Sequence, residues 1–278
     1  MSSHDPSDTA ARAGSDPEPG TVDPRFGGIA RLYGRPAVAA FARAHVAVIG
    51  IGGVGSWAAE ALARSGVGTI TLVDLDDVCV TNSNRQIHAH EGNIGRPKVQ
   101  AMAARIRAIN PACAVRAVEE FVSRDNLRKL VTPDMHFVID AIDVAGTKAA
   151  LIYHCKREKI PVITTGAAGG QLDPTQIRVV DLNRTTNDPL AAKVRSILRR
   201  HYNWSRNPKR HYSVPCVYSL EQLRYPAADG SVSCEKSWDD GPKRLDCESG
   251  FGAAMTVTAT FGLVAAARVL DRLAAGSD

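Results

Sequence analysis

The residues of this chain that could do chemistry come in a definite order. Glycines stand at 50, 52, 53 and 55, inside Ala47-Val48-Ile49-Gly50-Ile51-Gly52-Gly53-Val54-Gly55-Ser56. Without a Cβ they let the backbone turn tightly and let a phosphate come close. Nineteen positions past Gly55 is Asp74, followed by Asp76. An acid placed there can bind ribose hydroxyls. Asn82, Arg85, Gln86 and Lys98 come next, and Asp143 completes the set. Cations can neutralise phosphate charge, and a carboxylate can hold Mg2+. The glycines alone fit NAD as well as ATP. A dehydrogenase needs a substrate domain and a proton relay, and nothing in the sequence marks either. The cations and the acid fit nucleotidyl transfer from ATP. Taken singly, each of these residues is more often structural; taken as a set they are specific.

The elements that must position this set follow from hydrophobic pattern. The apolar run ending at Ile49 reads as a buried parallel strand, and residues 57–65 as the helix behind the glycines. That helix start offers unpaired N–H groups and a partial positive charge to an anion. Residues 69–74 read as a second strand, ending at the acid. The long polar segment from Val80 to Lys98 lies at that strand's carboxyl end, where open parallel sheets bind ligands. Val99, Met102, Ala103, Ile106 and Ile109 share one face of a helix over residues 98–109, with Lys98 at its start. Strands at 114–118, 137–143 and 161–165 and helices at 126–131 and 147–159 continue the alternation. Residues 176–181 start an antiparallel extension. Alternating strands and helices predict an α/β fold, a doubly wound, mostly parallel, Rossmann-like sheet with a C-terminal extension. Three segments follow: a disordered tail over residues 1–24, a nucleotide-binding core over 25–182, and a basic insertion with a C-terminal extension over 183–278.

Composition narrows the setting. The chain has 278 residues, 44% of them hydrophobic, and a net charge of +5. Its six cysteines are scattered, with no C-x-x-C pair to make a zinc ribbon. Scattered thiols behind an acidic, polar N-terminus point to a reducing cytoplasm. Between Pro189 and Leu220 there is no acid, but Lys193, Arg195, Arg199, Arg200, Arg206, Lys209 and Arg210 supply seven cations. Tyr202, Trp204, Tyr212 and Tyr218 lie among them. Cations among aromatics suit RNA, through phosphate contacts and base stacking; a solvated basic helix and loop is the equal alternative. Residues 249–267 carry no charge. They are mostly Ala, Gly and Thr, so a packed helix is favoured over a membrane span, with weak membrane association the remaining alternative.

These residues resemble the ubiquitin-activating (E1-like) adenylyltransferase superfamily. The matching pieces are Gly50-x-Gly52-Gly53-Val54-Gly55-Ser56, Asp74-x-Asp76, Asn82-x-x-Arg85-Gln86, Gly95-x-x-Lys98 and Asp140-x-x-Asp143. The resemblance implies ATP as substrate, ribose on the first acid, and phosphates on Arg85 and Lys98. It implies Mg2+ near the α-phosphate at Asp143, and a homodimer in which an N-terminal arginine, Arg31 or Arg25, reaches across. The residues 25–34, 79–88, 166–175 and 241–244 are similar to one branch, the tRNA threonylcarbamoyladenosine dehydratases.

That branch implies adenylation of a threonyl carboxylate on adenosine 37 of tRNA, then intramolecular closure with loss of AMP. Closure within one nucleotide needs no cysteine nucleophile. Cys234 is accordingly expected to lie outside the site. The resemblance also points to a sulfur-acceptor protein partner. Three other functions compete: adenylation of a ubiquitin-like sulfur carrier's C-terminus, a nucleotide-binding scaffold without turnover, and an NAD oxidoreductase.

Overall fold

The computed structural model describes residues 22–227, 229–235 and 251–276. The expected tail through residue 21, the 241–244 motif and Cys247 lie outside them. Two short helices lead in, α1 (Gly27–Tyr33) and α2 (Arg35–Arg43). Strand β1 (His45–Ile49), helix α3 (Gly55–Arg64) and strand β2 (Thr69–Val73) follow. After the polar segment come α4 (Lys98–Ile109), β3 (Ala114–Val118), α5 (Leu127–Leu130) and β4 (Phe137–Asp140). Then come α6 (Ala145–Arg157), β5 (Val162–Thr165), β6 (Ile177–Asp181), α7 (Pro189–His201) and β7 (Pro215–Ser219). A small hairpin, β8 (Tyr225–Pro226) and β9 (Val232–Ser233), precedes the long α8 (Met255–Ala275).

The strands of the main sheet lie in the order β3-β2-β1-β4-β5-β7-β6. All neighbours are parallel except β6, which runs antiparallel to β7. Strand β1 is fully buried between β2 and β4, so the chain winds outward from it in both directions. That reversal opens a crevice at the strands' carboxyl ends. One face is covered by α2, α3, α4 and α8, around Phe41, Leu62, Met102 and Phe261. The other is covered by α5, α6 and α7, around Leu130, Leu151 and Leu198.

Two expectations change here. The aromatics of the basic segment are packing groups. Tyr212 and Tyr218 are buried, and Tyr202 and Trp204 pack against the same core, so they are not free for base stacking. The segment itself is woven into the sheet: β7, from beyond residue 182, lies between β5 and β6. The uncharged stretch, where described, belongs to α8, whose apolar residues Val257, Phe261, Ala265 and Val269 are spent in the core. Its expected membrane association is therefore not supported, and no helix among the described residues is long and apolar enough to cross a membrane.

Candidate active site

A cavity of about 680 Å³ opens at the carboxyl ends of β1, β2, β4 and β5. Gly50, Gly52, Gly53, Asp74, Asp76, Asn82, Arg85, Gln86, Lys98 and Asp143 all line it. The expected convergence of Arg85, Lys98 and Asp143 is thus present in one chain. Gly50 has φ +89°, where a side chain would be strained, and a Cβ on Gly55 would collide with the Gly50 carbonyl. Those two positions explain why the turn after β1 must be glycine.

The turn is held by its neighbours. Ile51 N donates to Asp74 Oδ2 at 2.6 Å, and the His88 ring, through Nε2, bonds Ile51 O at 3.0 Å. Ile51 is therefore held at both its N–H and its C=O, which fixes the peptides on either side of it. Asp74 Oδ1 also accepts from Asp76 N at 2.9 Å. Burial pushes the Asp74 carboxyl above its usual range, against the opposing pull of Lys98. Burial lowers His88 to about 4, so the ring is neutral and donates from Nε2. The sequence offered His88 only as part of a motif. Its role depends on a contact across 37 positions, which no local pattern signals.

Arg85 is 8% exposed. Its aliphatic stem passes over Gly53, and its Nη1 donates to Thr81 O and Asn84 Oδ1, both at 2.9 Å. Trp57 Nε1 donates to Arg85 O at 2.9 Å and fixes the backbone below it. Among the described residues no carboxylate pairs with this guanidinium. A buried cation without an anion is costly, so the site is suited to an incoming anion. Lys98, also buried, donates to Asp76 Oδ2 at 2.7 Å, while the Asp76 side chain is largely exposed. A phosphate could take this cation from Asp76 with little rearrangement. Asn82 Oδ1 accepts from Cys79 N at 3.1 Å, a local brace for the loop. The Gln86 Oε1 and Thr258 Oγ1 atoms at the cavity are buried without a partner.

The two acids after β4 separate. Asp140 is fully buried, 3.0 Å from Lys148 Nζ, and accepts from Thr164 Oγ1 at 2.7 Å. It is a core ion pair and does not line the cavity. Asp143 is exposed at the cavity, and no described residue engages its carboxylate. Mg2+ usually keeps several waters and takes one or two carboxylates plus phosphate oxygens. A single open acid beside a phosphate site fits that donor set. No cluster of three or more His, Cys, Asp or Glu among the described residues could hold a metal unaided.

Arg31 lies exposed on α1 and does not line this chain's own cavity; Arg25 pairs with Asp23 at 2.9 Å. Cys234 is exposed and also off the cavity, whereas Cys79 lines it. In the basic segment, Lys193, Arg200, Arg206, Lys209 and Arg210 are exposed. Arg195 and Arg199 are turned inward, a correction to the even basic surface expected. Arg195 donates to Thr185 Oγ1, and Arg199 donates to Tyr212 Oη at 2.9 Å and Asn183 Oδ1 at 2.7 Å.

The ThiF family profile matches residues 28–275, which takes in the whole sheet and the cavity. The chain belongs to the ThiF family. Within it, the tRNA threonylcarbamoyladenosine dehydratase of Escherichia coli is 57% identical over 251 residues, covering 90% of this chain and 94% of that protein. A crystal structure of that E. coli dehydratase in complex with ATP superposes with a TM-score of 0.80 at 52% identity, covering 91% of this chain and 94% of the other. A second kind of ThiF-family relative, the E. coli sulfur carrier protein ThiS adenylyltransferase, is 36% identical but matches only 46% of this chain and 51% of its own length. The similarity to the dehydratase therefore covers about twice as much of the chain as the similarity to the carrier-activating relative.

Proposed function

We propose that this chain is an ATP-dependent dehydratase acting on N6-threonylcarbamoyladenosine at position 37 of tRNA. It activates the threonyl carboxylate and closes it to the cyclic form. The observation that carries this reading is the buried, unneutralised Arg85 guanidinium beside the glycine turn, in a chain akin to the dehydratases over nine-tenths of its length.

A carboxylate is a poor electrophile because oxide is a poor leaving group. Joining it to AMP, with release of pyrophosphate, supplies a good one. The glycine turn and the start of α3 would hold phosphates, and Asp74 the ribose. Asn82 and Gln86 complete the polar wall. Arg85 and Lys98, the latter exchanging Asp76 for phosphate, would take up charge as it grows. Asp143 would hold Mg2+, which when bound supplies charge neutralisation near the α-phosphate. Arg31 would serve the cavity of a second copy in a homodimer. Residues 25–182 bind the nucleotide, and the exposed Lys193, Arg200, Arg206, Lys209 and Arg210 guide the tRNA phosphates.

The test is mass spectrometry of nucleosides from threonylcarbamoylated tRNA incubated with the protein, ATP and Mg2+. A nucleoside lighter by one water, with AMP and pyrophosphate released in equal amounts, is expected. An unchanged nucleoside would overturn the reading.

A further inference from the structure

The loop after β5 is held by groups that the nucleotide site does not use. Residues 166–169 line the cavity, as do Pro189 and Leu190 at the start of α7. Asp188, 5% exposed, lies between the two. Its Oδ2 accepts from Ala167 N at 3.0 Å, and its Oδ1 from Ala191 N at 2.8 Å. One carboxylate thus ties the loop and caps the helix. A Cβ on Gly166 would collide with this carboxylate, so glycine is what admits it. From the other end, Gln171 Nε2 donates to Ala167 O at 3.1 Å. Ala167 is held at both its N–H and its C=O, and the second bond fixes the peptide that carries the Ala168 N–H. The next two amides, Ala168 and Gly169, donate to no protein group among the described residues, while Gly170 N is taken by Gly252 O at 2.7 Å.

Capping alone does not call for this acid. A serine caps a helix about as well, without burying a charge. The Asp188 carboxyl is pushed above its usual range by burial, against the pull of its backbone donors and Lys148. What the carboxylate adds over a hydroxyl is its second oxygen, and that oxygen is on Ala167. Successive N–H groups at a bend can form a concavity for negative charge, and residues 168 and 169 line the cavity where the chain bends. Preorganised donors of this kind stabilise an oxyanion as it forms.

We propose that the Ala168 and Gly169 amides receive the carbonyl oxygen of the activated threonyl group during ring closure, and that Asp188 is the positioning residue that holds them for it. This rests on the dehydratase reading. In the step, the nucleophilic atom of the carbamoyl arm forms a bond to the carbonyl carbon. The carbonyl electron pair moves onto oxygen, between the two amides. As that pair returns to re-form the carbonyl, the bond to AMP breaks, AMP leaves with the electrons of the broken bond, and the nucleophile's proton passes to water.

Asp188→Ser separates the two roles, since serine caps α7 but cannot also reach Ala167. Its melting temperature should stay close to the parent's. The ATP dissociation constant, the KM for tRNA and the rate of first-turnover pyrophosphate release should each change less than about threefold, while ring formation at saturation slows by about tenfold or more. Asp188→Ala should be as slow and melt lower. Gln171→Leu frees the carbonyl of the peptide that carries the Ala168 N–H and should show the same loss in kcat. A serine variant as fast as the parent, or a loss that appears in KM or in pyrophosphate release, overturns the proposal. Should the serine variant not fold, a parental kcat for Gln171→Leu overturns it alone. Failure of the dehydratase reading is distinct, because the parent itself would then make no cyclic product.

Discussion

Asp74 and His88 grip the same residue of the glycine turn, Ile51, one at its N–H and one at its C=O. The His88 grip depends on a neutral ring, and so makes stability sensitive to acid. The folded protein protonates His88 near 4, the unfolded chain near 6.5. The unfolded state therefore binds more protons between these values. Stability from this group is complete above pH 6.5 and falls, by about 1.4 kcal/mol per pH unit, as the pH drops toward 4. The raised carboxyls of Asp74, Asp140 and Asp188 act with the opposite sign over part of that range. The clean measurement is thus a difference: denaturant titrations of the parent and His88→Gln from pH 7 to pH 4. The parent should lose its advantage over the variant as the pH falls, and parallel curves would remove His88 from the account. Asp143 is the contrasting residue, exposed and unengaged. Asp143→Ala should leave the melting temperature unchanged and slow adenylation by about a hundredfold or more, measured as pyrophosphate release. Near-parental release would return this acid to the surface.

At the scale of elements, α7 shows how one helix divides its cations between packing and solvent. Leu190, Ala191, Val194 and Leu198 face the core, and Arg195 and Arg199 fold back toward Thr185 and Asn183, which precede the helix. Lys193 and Arg200 point outward, with Arg206, Lys209 and Arg210 on the loop beyond. Replacing Lys193, Arg200, Lys209 and Arg210 with alanine should weaken tRNA binding and flatten its dependence on salt, since each phosphate contact releases counterions. ATP affinity should hold. Arg199→Ala should behave differently: it leaves Asn183 and Tyr212 without a charged donor and should cost about 1.5–3 kcal/mol of stability. Fluorescence titrations with tRNA at several salt concentrations, beside thermal melts, distinguish the two classes. If the quadruple variant keeps the parental salt slope, the tRNA does not use this face. The sequence exposed the charge of this segment but not its division. Helical period marks which side is apolar, whereas the partners of Arg195 and Arg199 lie 10 to 16 residues away, Thr185 and Asn183 before the helix and Tyr212 after it. The same limit hid β7, five residues whose pairing with β6 is set by tertiary contact. Where the signal was local it was read to the residue, as for α4 from Lys98 to Ile109.

At the scale of the whole molecule, the wound, mostly parallel sheet was legible because strands and helices alternate, and glycine turns and acids mark strand ends that share one edge of such a sheet. What joins distant segments was not: Asp188 to Ala167, His88 to Ile51, Asp140 to Lys148 are pairs that only the folded chain brings together. Arg31 raises the question at its largest scale, since it stands exposed on α1 and lines no part of its own cavity. In a symmetric dimer each copy offers the same surface to the other, so an arginine given to the partner's cavity is received in return. That arrangement has a distinctive consequence. Arg31→Ala and Asp143→Ala should each be inactive alone, for the first cannot complete its partner's site and the second cannot complete its own. Mixed in equal amounts and allowed to exchange subunits, half the dimers become hybrids. In each hybrid one cavity has its own Asp143 and the partner's Arg31, and the other has neither. Activity should therefore return to roughly a quarter of the parent's. An arginine serving its own chain would leave the mixture as inactive as its components, because every cavity would then lack one of the two side chains.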